Sequence, residues 1–278
     1  MRVGDLRTGW QTDLILHRFG GELIEREDCL VLRTPANPTF YWGNCLVLPR
    51  APRDEDLAHW LTRFEAEISG PQPASRHVAI GVDAPWAGEA LPAWTEAGFE
   101  TFQHTLLRLG PGELRPPSRA ARGEVLVRPV DPLTEAEAVM DVESTDSGPF
   151  EPVGYRHYLR LQWARYLEMH AAGQLLWFGL WCDGTLAATC GLIRASSANE
   201  TPGRFQHVVT HADWRRRGLA SALVHAVSRH ALEAWCAPAA YMLADPDDVA
   251  IGIYRSLGYR EVETSWGLQR NAPQDRPA

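Results

Sequence analysis

The second half of the chain alternates strand-period and helix-period segments. Glu124 to Pro129 alternates apolar and polar positions, as a half-buried strand does. Asp131-Pro132 opens a helical stretch from Leu133 to Ser144 with acids in its first turn, and a longer helical pattern runs from Tyr155 to His170. Gln174 to Trp181 and Thr185 to Ile193 read as two strands joined at Cys182-Asp183-Gly184, where the Asp-Gly pair suits a tight hairpin. Arg204 to Thr210 is a further strand. From Gly218 to Trp235, the residues Leu219, Leu223, Ala226, Val227, Ala231 and Trp235 fall on one helical face. Ala239 to Leu243 is a short buried strand, Asp248 to Leu257 a helix stopped by Gly258, and Glu261 to Leu268 a last strand. The order β-α-α-β-β-β-α-β-α-β predicts an α/β domain of the mixed α+β kind.

The first half repeats the end of this scheme. Leu91 to Glu100 aligns with Ile251 to Arg260: each is an amphipathic helix ending at glycine, then an aromatic, then a strand. Upstream, His77–Val82 matches the strand at 239–243, Asp56–Ile68 the helix at 218–235, and Phe40–Leu48 the strand at 204–210. The pattern predicts an internal duplication with an abbreviated first copy. Residues 111–123, PGELRPPSRAARG, are rich in Pro, Gly and Arg without apolar periodicity and read as a linker. The expected division is 1–112, a linker at 113–123, a second domain at 124–272, and a tail at 273–278.

Composition narrows the function. Of 278 residues, 45% are hydrophobic and 22% charged, which fits a globular chain and excludes a disordered or collagenous one. No run of apolar residues is long enough to span a membrane and no signal peptide is visible, so a cytoplasmic protein without membrane contact is expected. The 27 basic residues are all arginine, which excludes lysine Schiff-base chemistry. With 35 acids the net charge is −8, a poor match to nucleic acid and a slight tilt toward cationic substrates. Five cysteines without a CxxC pair argue against a disulfide framework or a zinc ribbon and for a reducing compartment. The consecutive acids Asp245, Asp247 and Asp248 suit helix capping better than a metal site, so no metal is expected.

The sharpest chemical signal is Val208-Val209-Thr210-His211-Ala-Asp-Trp-Arg215-Arg216-Arg217-Gly218-Leu219-Ala220. A strand ends, an arginine-rich loop follows, and a helix begins at a glycine. Free N–H groups and a partial positive charge at a helix start attract phosphate oxygens, and arginines add fixed charge. A pyrophosphate is the natural ligand.

Arg215-x-x-Gly218-x-Ala220 resembles the pyrophosphate-loop pattern of the GNAT superfamily of N-acetyltransferases. Ile253-Tyr254-Arg255-Ser256-Leu257-Gly258-Tyr259 is similar to that family's LYxxxGF segment. The resemblance covers residues 124–270 well and the first half in outline. It implies two GNAT-like domains, each a central mixed, mostly antiparallel sheet flanked by helices, with a degenerate N-terminal copy. It further implies that Arg215, Arg216, Arg217, Gly218, Leu219, Ala220 and Ser221 hold the coenzyme A pyrophosphate. Val208, Val209 and Thr210 would face the pantetheine arm and thioester carbonyl, and Tyr254 would protonate the departing thiolate. Asp247 stands where many members have Asn.

The resemblance supplies no general base. The two central strands carry no Glu, leaving His207, His211, Glu143, Asp146 or a water chain. Trp42, Trp163, Trp177 and Trp181 could line a substrate pocket, though most tryptophans should be core. In the first half the loop position reads Leu48-Pro-Arg-Ala-Pro-Arg-Asp54-Glu55-Asp56, where three acids repel a diphosphate, and Trp94 replaces the tyrosine. That copy is expected to wall a pocket or to form a homodimer surface. The reading is an acetyl-CoA-dependent transfer to a primary amine of a small molecule. A non-catalytic acyl-CoA sensor and a protein N-terminal acetyltransferase are the alternatives.

Overall fold

The computed structural model describes residues 1–148, 150–194 and 202–273. The chain forms two units, residues 1–104 with 263–278, and residues 105–262. In chain order the elements of the first half are α1 (Thr8–His17), β1 (Glu22–Glu25), β2 (Leu30–Arg33), β3 (Cys45–Leu48), α2 (Leu57–Phe64), β4 (Val78–Val82), α3 (Pro92–Glu96) and β5 (Glu100–Leu109). The second half contains β6 (Val125–Pro129), α4 (Ala136–Ser144), α5 (Pro152–Ala171), β7 (Leu175–Cys182), β8 (Thr185–Arg194) and β9 (Gly203–Thr210). It ends with α6 (Leu219–Arg229), β10 (Ala240–Ala244), α7 (Val249–Ser256) and β11 (Arg260–Arg270).

In the second unit β6, β7, β8 and β9 form an antiparallel run, β9 meets β10 in parallel, and β10 pairs antiparallel with the end of β5. In the first unit β1, β2 and β3 are antiparallel, β3 and β4 parallel, and β4 and β11 antiparallel. Each sheet therefore has one parallel pair, bounded on the β4 or β10 side by an antiparallel strand. The folds repeat as the sequence pattern predicts, and the mixed, mostly antiparallel class holds.

The domain boundaries differ from those expected. Thr105–Leu109, from the first repeat, pair with Ala244–Ala240 in the second unit. Val78–Val82 pair with Arg270–Trp266, from the second repeat, in the first unit. The terminal strands of the two repeats are thus exchanged. Residues 111–123 carry no helix or strand, but they lie inside the second unit rather than separating the units. Arg115 N–H donates to the Leu257 carbonyl (2.9 Å) and Arg122 N–H to the Arg217 carbonyl (3.0 Å).

Burial follows the apolar patterns. Leu219, Leu223, Val224 and Val227 of α6 pack with Leu180, Leu192, Leu107 and Met242. The α-helical ladder stops at Arg229, and a wider π turn follows, in which Trp235 N–H reaches the His230 carbonyl. In the first unit Phe64, Ile68, Leu46, Ile80 and Trp94 form the core. Trp163 and Trp177 are core residues as well, and Trp181 lies beneath the Arg128 guanidinium, 3.6 Å from its ring centroid. All five cysteines are free thiols, Cys236 alone exposed. Among the described residues no helix is long and apolar enough to cross a membrane.

Candidate functional site

A groove opens between the parallel strands β9 and β10. They pair only at Gly203–Ala240 and Arg204–Tyr241. Beyond that point β9 stays on β8 as far as Thr210–Ala188, and β10 stays on β5 as far as Ala244–Thr105. Each strand is held from its outer side, so the gap falls between them and leaves inner backbone groups without a sheet partner. The resulting cavity of 310 Å³ is lined by Gln206, His207, Val208, Met242 and Leu243, and by Asp245, Asp248 and Tyr254 beyond β10.

A bulge shapes the β9 wall. The register with β8 shifts between Thr189–Val209 and Gly191–Gln206, and His207 takes a left-handed φ of +50°. Gly191 faces the bulge because a Cβ there would meet the Trp177 ring at 2.7 Å. The His207 ring, half-buried, reaches the Glu143 carboxylate of α4 through Nδ1 (3.0 Å) and the Tyr155 hydroxyl of α5 through Nε2 (3.3 Å). Burial disfavours the imidazolium, yet the Glu143 and Asp146 carboxylates outweigh it and hold the His207 pKa above the usual histidine value.

Past Thr210 the loop to α6 carries two left-handed residues, Arg216 (φ +63°) and Gly218 (φ +79°). Such turns gather backbone N–H groups on a concave side that suits an anion. Gly218 begins α6 without a side-chain cap, so the first-turn N–H groups of Leu219, Ala220 and Ser221 are not occupied by one. Arg215 donates to the Thr210 carbonyl (3.1 Å) and pairs with Asp146 (3.0 Å). Arg216 is exposed, and the Arg217 guanidinium lies 4.6 Å from the Trp214 ring centroid.

Tyr254 sits on α7, which Asp248 caps by accepting from Ala250 N–H (2.7 Å). Its side chain is buried against the groove, and burial raises its pKa, so the phenol keeps its proton at neutral pH. The structure brings Val208 and Tyr254 to one groove and Arg215–Ser221 to one loop. Val209 turns into the core, and Thr210 ends the strand, half-buried. Asp247 stays outside: it is exposed, its N–H goes to the Asp245 carboxylate, and Asp245 and Asp248 border the groove instead. His211 caps a turn by accepting from Asp213 N–H, and none of Trp42, Trp163, Trp177 and Trp181 lines the groove. Gln206 lines the groove and Tyr155 contacts His207 behind it, and the sequence pattern singles out neither. Among the described residues no cluster of His, Cys, Asp and Glu could hold a metal ion.

The strand gap has no counterpart in the first unit, where a cavity of 410 Å³ opens instead at the loop after β3, lined by Leu48, Arg50, Pro52, Asp56 and Trp60. β3 and β4 stay paired through Leu48–Val82, and Asp83 N–H then donates to the Leu48 carbonyl (2.8 Å). The Trp94 indole fills the space beside the loop, donating to the Arg53 carbonyl (3.1 Å). Asp56 accepts from Arg53 N–H (2.9 Å) in the loop, and Asp54 accepts from Ala93 N–H (2.8 Å) at the start of α3. The fold persists there without a gap between the central strands.

A family model described as "Acetyltransferase (GNAT) domain" matches residues 175–261, which hold the bulge, the loop and Tyr254. No curated protein sequence matches the chain. Among solved structures, a conserved protein of unknown function from Staphylococcus epidermidis is similar at a TM-score of 0.74 and 15% identity, covering 91% of this chain and 95% of that one. A GCN5-related N-acetyltransferase from Kribbella flavida gives 0.62 and 20%, covering 94% and 92%. A tandem GNAT protein from the clavulanic acid biosynthesis pathway gives 0.53 and 13%, covering 84% and 74%. At these identities the likeness is one of fold. Residues 175–261 thus match a GNAT acetyltransferase domain, and the chain as a whole has the fold of GNAT structures, a tandem protein among them.

Proposed function

We propose that the protein transfers an acetyl group from acetyl-CoA to a primary amine of a small molecule, by direct attack of the amine on the thioester. The observation that carries this reading is the groove between β9 and β10, with Tyr254 in its wall and β9 leading directly into the anion-suited loop before α6. In this reading Arg215–Arg217 and the N–H groups of Gly218–Ser221 hold the pyrophosphate. Backbone amides along Val208–Thr210 pair with the pantetheine arm and stabilise charge that develops on the thioester oxygen. Tyr254, protonated at neutral pH, donates to the departing thiolate. Asp247 has no part in this assignment, since its carboxylate lies away from the groove.

The first unit adds no second coenzyme site in this account, because its strands do not part. The net charge of −8 and the groove acids Asp245 and Asp248 favour a cationic acceptor. The test is release of free thiol from acetyl-CoA with a panel of primary amines. Amine-dependent release is expected. Coenzyme binding without release with any amine would favour the sensor reading instead.

A further inference from the structure

Glu143, His207 and Tyr155 form a chain of polar groups whose middle member, His207, lines the groove, and transfer from an ammonium ion requires a proton acceptor there. We propose that these three residues are the proton relay that deprotonates the acceptor amine, a role that rests on the acetyltransferase reading above. The geometry orders them. Glu143 is 1% exposed and its Oε1 lies 3.0 Å from His207 Nδ1, a contact whose charge favours the N–H on that nitrogen. Nε2 is then the acceptor, and the Tyr155 hydroxyl lies 3.3 Å from it. The bulge is what points the ring this way: a left-handed φ on a residue with a Cβ is strained by about 1–2 kcal/mol, and regular β pairing would avoid it.

The step balances without a further reactant. The ammonium gives one proton to His207 Nε2, which the Tyr155 hydroxyl contacts. The amine is left with its lone pair, and the imidazolium is paired with Glu143 until it releases the proton to solvent. A second proton leaves the nitrogen after attack and balances the one that Tyr254 gives to the thiolate. Tyr155 stays a phenol throughout, because burial raises its pKa.

The groups around His207 set the sign of its pH dependence. Glu143 and Asp146 come from α4 and the turn after it, and Asp146 is also paired with Arg215. Tyr155 comes from α5, with Tyr158 stacked on it at 5.7 Å. Cys190 of β8 lies opposite the bulge, and Arg204 precedes it on β9. Across the groove stand Asp245, Asp248 and Tyr254. The nearest charges are carboxylates, so removing Glu143 must lower the His207 pKa.

The experiment pairs kcat/KM against pH, at saturating acetyl-CoA and with phenethylamine, putrescine and glucosamine as acceptors, with an NMR titration of the His207 ring. Wild type should lose activity below a midpoint above the ordinary histidine value. Glu143→Gln should move that midpoint, and the NMR midpoint, to lower pH. His207→Gln should abolish the acid limb and slow transfer by about 100-fold. Tyr155→Phe should slow transfer without moving the limb. A His207→Gln enzyme with an unchanged limb, or an NMR midpoint that Glu143→Gln leaves in place, overturns the relay. Acetyl-CoA titration of each variant separates the two readings: binding retained with the limb unchanged removes the relay alone, whereas no binding by wild type removes the proposed function and the relay with it.

Discussion

Replacing Gly218 with alanine loads the loop before α6 in two separable ways. Its φ of +79° lies in the left-handed region, where a Cβ costs about 1–2 kcal/mol. The added Cβ would also lie 3.1 Å from the Ala120 carbonyl oxygen and 3.3 Å from Ala121 Cα. Those are backbone atoms, and the bond from Arg122 N–H to the Arg217 carbonyl ties them to the loop itself. The two effects together should reach about 2–3 kcal/mol. At roughly 2–4 °C per kcal/mol for a chain of this size, Tm should fall by about 4–12 °C. Gly173→Ala is the control: its φ is +68° and its Cβ would meet nothing within 4 Å, so only the backbone part applies. Scanning calorimetry on both variants should show the larger loss for Gly218→Ala, and acetyl-CoA titration should show affinity lost only there, about tenfold for each 1.4 kcal/mol of loop displacement. Equal Tm losses would refute the contact with residues 120–121. An unchanged acetyl-CoA affinity in Gly218→Ala would refute the loop's part in binding.

Three further outcomes follow from the same geometry. Tyr254→Phe should lower kcat by about 100-fold while changing acetyl-CoA affinity less than about twofold, as steady-state kinetics and titration would show, because only the proton donor is lost. His77 is 2% exposed, and burial lowers its pKa to about 4 despite its carbonyl partners Asn44 and Tyr41. Its contribution is complete above the unfolded value of about 6.5 and is lost as pH falls toward 4, up to about 3 kcal/mol; urea unfolding of His77→Gln should show a shallower decline over that window than wild type. A fragment of residues 124–272 lacks Thr105–Leu109, the antiparallel partner of β10, and should give a collapsed, poorly dispersed amide NMR spectrum. A well-dispersed spectrum would show that the exchanged strand is dispensable.

Period and punctuation made most of the second half readable. β9, α6 and α7 lie where apolar spacing and the glycines at 218 and 258 put them, since each buries one face in one core. α1 escaped detection because Trp10, Leu14, Ile15 and Leu16 bury it on several sides and leave no helical stripe. The hairpin of β1 and β2 is short, and its turn at Arg26–Cys29 has no glycine to mark it. The exchanged strands β5 and β11 were legible as strands but not by partner, because period-2 alternation says which face is buried and not which neighbour pairs. At the site, Arg215–Ser221 and Tyr254 stand in local motifs. The assembly of Glu143, Tyr155 and His207 joins α4, α5 and β9 through a bulge at a histidine, where no glycine or asparagine announces left-handed backbone.

On the proposed reading the protein has one coenzyme site, between β9 and β10, and no counterpart between β3 and β4. Calorimetric titration of the intact protein with acetyl-CoA, read for stoichiometry, tests it most directly. One site per chain is the result predicted from the parted strands β9 and β10 beside the paired strands β3 and β4. Two sites would contradict the reading of β3 and β4, and no binding would contradict the groove itself.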